Sequence, residues 1–249
     1  MCMDCLTRRD FVGLAAAAFV ARRDPWVEPL FRRAVSDDGP KRVGLTLDAC
    51  PGGFDARIAT ALVAANAKAT IFLTGTWMRR NPAGLALFLD RPDLFALENH
   101  GMRHVAPVLG RASMFGVTLA GTMEAIREEV ESGANAIREE TDARTSWYRG
   151  ATGRYSPEAI PEIVHLNHRI AAWTLNADQG ASLPAESVAA RMRRARDGDV
   201  IIGHINQPAR SSGEGIARGI VALREAGFAF AHLDELAPAL APMSMARPE

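Results

Sequence analysis

The sequence predicts an α/β fold, built as a single distorted (β/α) barrel of about seven strands. Short apolar segments alternate with helical segments from residue 43 to residue 236, and such alternation indicates a parallel sheet. Polar residues follow the ends of several predicted strands, where a barrel assembles its active site. An open, doubly wound sheet is the alternative, but the turn Pro51-Gly52-Gly53 does not have the glycine spacing of its phosphate-binding loop.

The composition is that of a globular protein with a large core. The chain has 249 residues, 48% of them hydrophobic, and a formal net charge of +0. A chain of this size can bury enough apolar surface for one barrel. The neutral charge argues against a nucleic-acid partner, which would require a basic face.

The first residues resemble an export signal. The pair Arg8-Arg9 precedes a short apolar run, residues 13–21, as in twin-arginine signals. The run is about half the length needed to span a bilayer, so we expect no stable membrane anchor. We therefore divide the chain into an export signal (1–21), a connector (22–42), the barrel (43–236) and a flexible tail (237–249); a plain N-terminal helix is the alternative for the first segment.

Each element of the barrel has its own signal. Apolar runs predict strands at 43–48, 69–74, 94–97, 147–149, 169–175, 200–204 and 228–233. A 3.6-residue period with a charged outer face predicts one long, solvent-facing helix over 114–140. Ser156-Pro157 is typical of a helix start. Further helices are predicted at 55–67, 81–88, 184–196 and 214–226.

The strongest candidate for a functional site is the pair His100 and His104. Two imidazoles at this spacing can converge on one point, either from a helical turn or from an irregular one. Zinc and its first-row neighbours bind two such nitrogens together with a carboxylate, with one position open to water. Two unrelated surface histidines are the alternative.

Four further polar residues follow predicted strands. They are Asp48, Arg149, Asp178 and His204. Taken singly, an aspartate can cap a turn, an arginine can form a structural ion pair and a histidine can be a core residue. Their joint occurrence at strand ends favours an active site.

With these segments in place, the chain resembles the polysaccharide deacetylases, the NodB-type family 4 carbohydrate esterases. The resemblance runs from about residue 41 to 235 and rests on five motifs in the family's order. They are Thr46-Leu47-Asp48-Ala49-Cys50-Pro51-Gly52, Asn99-His100 through His104, Arg149-Gly150-Ala151-Thr152-Gly153, Trp173 with Asn176 and Asp178, and Ile202-Gly203-His204.

The resemblance implies an incomplete, NodB-like β/α barrel and metal-assisted removal of acetyl groups from a carbohydrate. The cofactor would be a divalent metal, zinc first, bound by His100 and His104. Asp48 would be the general base, Arg149 would orient it, and His204 would be the general acid. Asp178 would tune His204 or contact substrate. Trp173 would be an apolar wall for the acetyl methyl group, or a plain core residue.

One departure from the family pattern concerns the metal. Ala49 stands where the family has a second aspartate, so the site lacks a ligand. The replacements in reach are Asp48, Cys50 and Asp55, and we favour Asp48. Cys50 is interpreted as a small buried apolar residue and Asp55 as a helix N-cap. Changing Ala49 to aspartate is expected to restore the family's ligand set. The missing proline after Arg149 is a milder departure.

Three functions remain open at this point. The leading one is an exported, metal-dependent hydrolase that removes acetyl groups from an N-acetyl sugar or an acetyl ester. The second is a hydrolase of non-sugar amides on the same scaffold. The third is a weakened protein that binds glycans without cleaving them.

Overall fold

The computed structural model of the protein describes residues 26–32, 39–110, 113–236 and 241–246. The export signal predicted at 1–21 lies outside these residues, and that prediction stays a prediction. No helix within the described ranges is both long and apolar enough to cross a bilayer.

A curved parallel sheet forms the centre of the protein. Its strands run in the order β10-β11-β2-β3-β4-β8-β9, and β12 pairs with the first half of β2. The strands are β2 (Arg42–Ala49), β3 (Ala69–Leu73), β4 (Phe95–Asn99), β8 (Trp147–Tyr148), β9 (Arg169–Ile170), β10 (Leu175–Asn176), β11 (Asp199–His204) and β12 (Ala229–Ala231). This half-barrel confirms the predicted α/β fold.

Helices cover the outer face of the sheet. They are α1 (Ala56–Ala64), α2 (Gly75–Arg80), α3 (Pro82–Leu89), α4 (Met123–Thr141), α5 (Ala159–His165), α6 (Ala185–Met192), α7 (Ser212–Glu225) and α8 (Leu233–Leu236), with a 3-10 turn at Ala151–Gly153. The helix α2 was not predicted; Thr74 caps it by accepting a hydrogen bond from the Trp77 amide.

The central strands are buried because both of their faces are covered. Every residue from Val43 to Ala49 is buried, as are all five residues of β3. Such strands consist of nearly continuous apolar residues rather than an alternating pattern. The main core lies between these strands and the helices, where Leu45, Ile71 and Ile220 belong to one cluster. Asp48 is therefore held at a rigid strand end.

The prediction of one helix over 114–140 is wrong for its first part. Its first residues belong to β6 (Ser113–Met114) and β7 (Val117–Gly121), which form a small sheet with the preceding strand β5 (Ala106–Leu109). The helix α4 begins only at Met123, where Thr122 accepts a hydrogen bond from the Ala125 amide over 3.2 Å. The N-cap threonine and the β-branched residues before it mark this boundary.

The predicted strand at 169–175 is interrupted. It becomes β9 and β10, and the four buried or half-buried residues between them form no strand. In this gap the carbonyl groups of Ala171 and Ala172 accept hydrogen bonds from the Arg149 guanidinium. The interruption therefore serves the site described below.

Two segments outside the predicted barrel also pair. The strand β1 (Glu28–Arg32), within the predicted connector, pairs antiparallel with β13 (Ala241–Ala246), within the predicted flexible tail. Residues 241–246 of the predicted tail thus have their backbone paired in a two-stranded ladder, and the flexible-tail assignment stays a prediction.

Candidate active site

The residues predicted for the site surround one cavity at the C-terminal ends of the parallel strands. Its volume is about 760 Å³, within the usual range for small-molecule sites. The lining includes Asp48, Cys50, His100, His104, Trp173 and His204. Arg149 and Asp178 lie directly behind this wall, fully buried.

Asp48 is held by a buried ion pair with Arg149. The guanidinium Nη1 donates to Asp48 Oδ1 over 2.8 Å and to Thr46 Oγ1 over 2.9 Å. The Phe72 ring lies 4.2 Å from the guanidinium carbon. Burial alone would raise the pKa of Asp48, but Arg149, helped by His100 and His204, holds that pKa below its ordinary value. Asp48 is therefore a carboxylate at neutral pH.

The position of His100 leaves one ring nitrogen available. Nδ1 lies 2.6 Å from the Arg149 carbonyl oxygen, and a carbonyl only accepts, so Nδ1 carries the proton. The other nitrogen, Nε2, lies 3.4 Å from Cys50 Sγ and 3.8 Å from Asp48 Oδ2. A histidine held in this way presents Nε2 as a metal ligand.

The turn between the histidines is irregular rather than helical. His104 has a φ of 67° and Gly101 a φ of 84°, both left-handed. The two histidine rings lie with their centroids 5.0 Å apart. The left-handed backbone, uncommon at residues other than glycine, thus brings the two rings together.

A buried carboxylate on α4 holds this turn. Glu129, only 2% exposed, accepts hydrogen bonds at Oε1 from the amides of Arg103, His104 and Val105 over 2.8, 2.7 and 3.3 Å. The helix approaches closely at Gly133, where an added Cβ would meet Gly101 at 2.7 Å. Glu129 therefore positions His104 through its backbone.

Cys50 completes a set of three possible metal ligands. One ligand atom each from Cys50, His100 and His104 lies within 4.8 Å of the others. Burial alone would raise the pKa of the Cys50 thiol, but the two histidines lower it well below its ordinary value. A thiolate and two imidazoles form a donor set that zinc prefers, so these residues fit such an ion.

This geometry does not support our choice of Asp48 as third ligand. Side chains alternate along a strand, so Asp48 and Cys50 face the cavity while Ala49 belongs to the main core. Asp48 lies outside the group of three, and its Oδ1 is engaged by Arg149. Asp55 caps α1 as predicted, accepting a hydrogen bond from the Arg57 amide.

His204 is oriented by Asp178. Asp178 Oδ2 accepts a hydrogen bond from the His204 amide over 2.8 Å, and Asp178 Oδ1 lies 2.9 Å from Nδ1 of the His204 ring. Burial alone would lower the pKa of His204, but Asp178, with a contribution from Cys50, raises it well above its ordinary value. The ring is therefore a cation at neutral pH and can donate a proton into the cavity.

Comparison with known proteins places the chain in a family. The sequence model described as polysaccharide deacetylase matches residues 36–171, more than half of the chain. The chain belongs to the polysaccharide deacetylase family. Among curated proteins, none matches it in sequence.

Solved structures of this family share the fold. The peptidoglycan deacetylase PdaC from Bacillus subtilis is 21% identical with a TM-score of 0.67, covering 82% of this chain and 93% of PdaC. A family 4 carbohydrate esterase from Streptomyces lividans, in complex with acetate, is 19% identical with a TM-score of 0.64, covering 81% and 97%.

A family 4 pseudoenzyme from Bacillus anthracis is also similar. It is 22% identical with a TM-score of 0.62, over 80% of this chain and 66% of that one. A mutant of that pseudoenzyme has restored enzymatic activity. The family fold therefore occurs with and without activity.

The departure from the deacetylase motif after Arg149 has a local explanation. The amide of Gly150 donates to the Tyr155 hydroxyl over 2.7 Å, a bond that proline could not make. A Cβ at Gly150 would also lie 2.5 Å from Pro107. The loop next to Arg149 is thus fixed by a tyrosine instead of a proline.

Trp173 lies in the cavity wall and is 7% exposed. The loop Ala151–Gly153 packs against it so closely that a Cβ at Gly153 would lie 2.3 Å from the ring. Both of our interpretations, apolar wall and core residue, agree with this position.

Sequence reasoning underrated Cys50 and missed Glu129. The register of the strand held the signal for Cys50, because Asp48 and Cys50 are two residues apart and share a face. Glu129 lies in a segment with four charged residues out of five, Arg127 to Glu131, which we assigned to a solvent-facing surface. Nothing in that run distinguishes the buried glutamate from its neighbours.

Proposed function

We propose that this protein is a metal-dependent hydrolase that removes an acetyl group from a carbohydrate, from an N-acetyl sugar or an acetyl ester. The observation that carries the proposal is one cavity that holds a carboxylate, a protonated histidine and a three-ligand donor set. Each of the three elements has a separate chemical task in such a reaction.

Cys50, His100 and His104 would hold the metal ion, with zinc favoured by the thiolate and the two imidazoles. When bound, such an ion supplies Lewis-acid polarisation of the acetyl carbonyl. His100 is prepared for this role because the Arg149 carbonyl fixes its tautomer, and His104 because Glu129 fixes its backbone.

Asp48 would act as general base. Its carboxylate, kept ionised by Arg149, takes a proton from the attacking water while the new carbon–oxygen bond forms. Arg149 is buried and bonded to Thr46 and to two backbone carbonyls as well. These contacts fix the guanidinium, which therefore orients Asp48.

His204 would act as general acid. As the bond from the carbonyl carbon to the sugar nitrogen or oxygen breaks, the protonated ring donates to that leaving atom. Asp178 orients the ring through two contacts, one to the amide and one to Nδ1. It also stabilises the cationic form from which the proton is given.

A second function has one observation in its favour. Ala49 replaces the family's metal-binding aspartate, and a structural relative of this protein is a pseudoenzyme. A glycan-binding protein without activity would fit both facts. It would not need the paired Asp48 and Arg149 or the paired His204 and Asp178, so we place the hydrolase first. A hydrolase of non-sugar amides would use the same groups and differ only in substrate.

We propose that the protein acts after export. Arg8-Arg9 before the short apolar run is the supporting feature, and a glycan outside the cytoplasm would be its substrate. Changing both arginines to lysine should retain the precursor in the cytoplasm, measured by cell fractionation. Normal export of the double variant would contradict this proposal.

Acetate release tests the proposed reaction. Wild-type protein should release acetate from oligomers of N-acetylglucosamine or from acetylated xylan. His204→Ala should lower turnover by roughly a hundred- to ten-thousandfold with little change in substrate binding. His165→Ala, on the outer helix α5, is the matched control and should keep full activity. If the wild type binds an oligomer but releases no acetate from either substrate, the glycan-binding function takes the place of the hydrolase.

A further inference from the structure

The hairpin β6–β7 presents an aromatic ring at the cavity. Phe115 at its tip is 74% exposed, more than Leu89, Val164 and Val221, the other large apolar side chains exposed among the described residues. It is also the one of these four that lines the cavity. Single exposed apolar residues are common on surfaces. Exposure alone therefore does not mark Phe115 as functional, but its position at the cavity and its backbone conformation do.

The backbone at Phe115 is unfavourable for phenylalanine. Met114 pairs with Val117, which leaves Phe115 and Gly116 as a two-residue turn. Their φ values are 52° and 78°. Such turns are usually Asn-Gly or Asp-Gly, because bulky residues are disfavoured in the left-handed region. A residue that is both strained and exposed at a cavity is the pattern expected of a functional contact.

The strands of the hairpin pack against the protein, while the side chain at its tip is exposed. Met114 and Val117, on either side of the turn, pack against the small core of Ala106, Val108 and Ala151. Ala151 belongs to the loop that follows Arg149. The hairpin is therefore anchored to the same loop that borders the active site, so the ring has a defined position relative to it.

Charged and aromatic neighbours build one wall around the ring. The Arg154 guanidinium carbon lies 5.0 Å from the centroid of Phe115 and 5.0 Å from that of Trp26. Glu28 Oε2 forms an ion pair with Nη2 of the same guanidinium over 2.7 Å. Phe115, Arg154 and Glu28 all line the cavity. An apolar ring beside charged donors and acceptors suits a ligand with one apolar face and several hydroxyl groups, which is the chemistry of a pyranose ring.

We propose that Phe115, with Arg154 and Glu28, forms a stacking subsite for a second sugar ring next to the one that carries the acetyl group. The inference rests on the proposed function, and it makes the protein selective for oligomers over single sugars. The C–H face of the sugar packs on Phe115, and its hydroxyl groups bond to Glu28 and Arg154.

Binding and stability together test the subsite. Calorimetry should give the Kd of the zinc-loaded protein for a β-1,4-linked tetramer of N-acetylglucosamine and for its monomer, with every protein carrying His204→Ala so that the ligand is not consumed during the titration. In Phe115→Asn, the preference for tetramer over monomer should fall by roughly three- to tenfold, the value of one aromatic contact. Phe115→Tyr, which keeps the ring, should retain the preference. Val164→Ala, an exposed apolar residue on α5, is the matched control.

The melting temperature separates binding from a structural role. Asparagine tolerates the left-handed turn, so Phe115→Asn should melt higher than the wild type, by roughly 2–4 °C. A side chain retained for stability would give a lower melting temperature instead. Weaker tetramer binding in a more stable variant is the result that supports the subsite.

The other possible outcomes distinguish the subsite from the proposed reaction. A wild type without preference for the tetramer, or a Phe115→Asn variant with unchanged preference, overturns the subsite. If wild type binds the tetramer through Phe115 but releases no acetate, the subsite stands and the hydrolase proposal fails. If the wild type releases acetate but uses the tetramer and the monomer equally well, the hydrolase proposal stands and the subsite fails.

Discussion

Glu129 should control metal affinity although it contacts the proposed ligand His104 only at its backbone amide. Its Oε1 accepts hydrogen bonds from the amides of Arg103, His104 and Val105, two of them at 2.8 Å or less. A hydrogen bond to a charged acceptor contributes about 1 kcal/mol more than a neutral one. Glu129→Gln keeps the shape and an acceptor oxygen, so we expect about 2 kcal/mol less restraint on the turn.

This loss is comparable with the strain that Glu129 opposes. A left-handed φ at a non-glycine residue such as His104 costs about 1–2 kcal/mol, and His104 adopts a φ of 67°. Without the charged acceptor, the turn can relax and His104 leaves its position beside Cys50. The affinity for zinc should then fall by roughly ten- to a hundredfold, as for other residues that orient metal ligands.

The assay is competition for zinc with a chromophoric chelator, together with urea unfolding of the metal-free protein. Glu131→Gln, an exposed glutamate on the same helix, is the control and should change neither quantity. If Glu129→Gln loses stability but binds zinc as tightly as the wild type, Glu129 has only a structural role and does not position His104 for the metal.

Three further predictions follow from the same geometry. Arg149→Met leaves Asp48 buried without its partner and should lower the free energy of unfolding by about 3–5 kcal/mol, measured by urea unfolding; an unchanged stability would contradict the ion pair. Cys50→Ser should weaken zinc binding and abolish the sulfur-to-cobalt absorption band of the cobalt-substituted protein; a band that persists in this variant would exclude Cys50 as a ligand. Ala49→Asp, which we first expected to restore the family's ligand set, should instead lower the melting temperature without raising zinc affinity, because Ala49 lies in the apolar core; tighter zinc binding would restore our first interpretation.

The sequence predicts the central sheet well because burial dictates its composition. Strands such as β2, β3 and β11 are covered on both faces, so their residues must be nearly all apolar and the pattern is easily recognised. The polar residues at their ends stand out for the same reason. The sequence was therefore enough to predict that Asp48, His100 and His204 line one cavity.

Features that depend on packing between distant segments were not predictable in the same way. The turn at Phe115 lies in a region whose periodicity also fits a helix, and the local signals for the start of α4, Thr122 and the β-branched residues before it, are weak beside that periodicity. The break between β9 and β10 depends on Arg149, which is more than twenty residues earlier in the chain. The third ligand depended on the face to which Cys50 points, and we had favoured Asp48 only because it stands at the strand end next to the histidines.

We propose above that a metal held by Cys50, His100 and His104 makes this protein a deacetylase. The most direct measurement is acetate release from an N-acetylglucosamine tetramer by chelator-stripped protein during titration with zinc. We predict no release without zinc, then a rise that reaches its plateau at about one ion per chain, as expected for a three-ligand catalytic site. Acetate release that is unaffected by stripping, or none at any zinc concentration, would contradict the account.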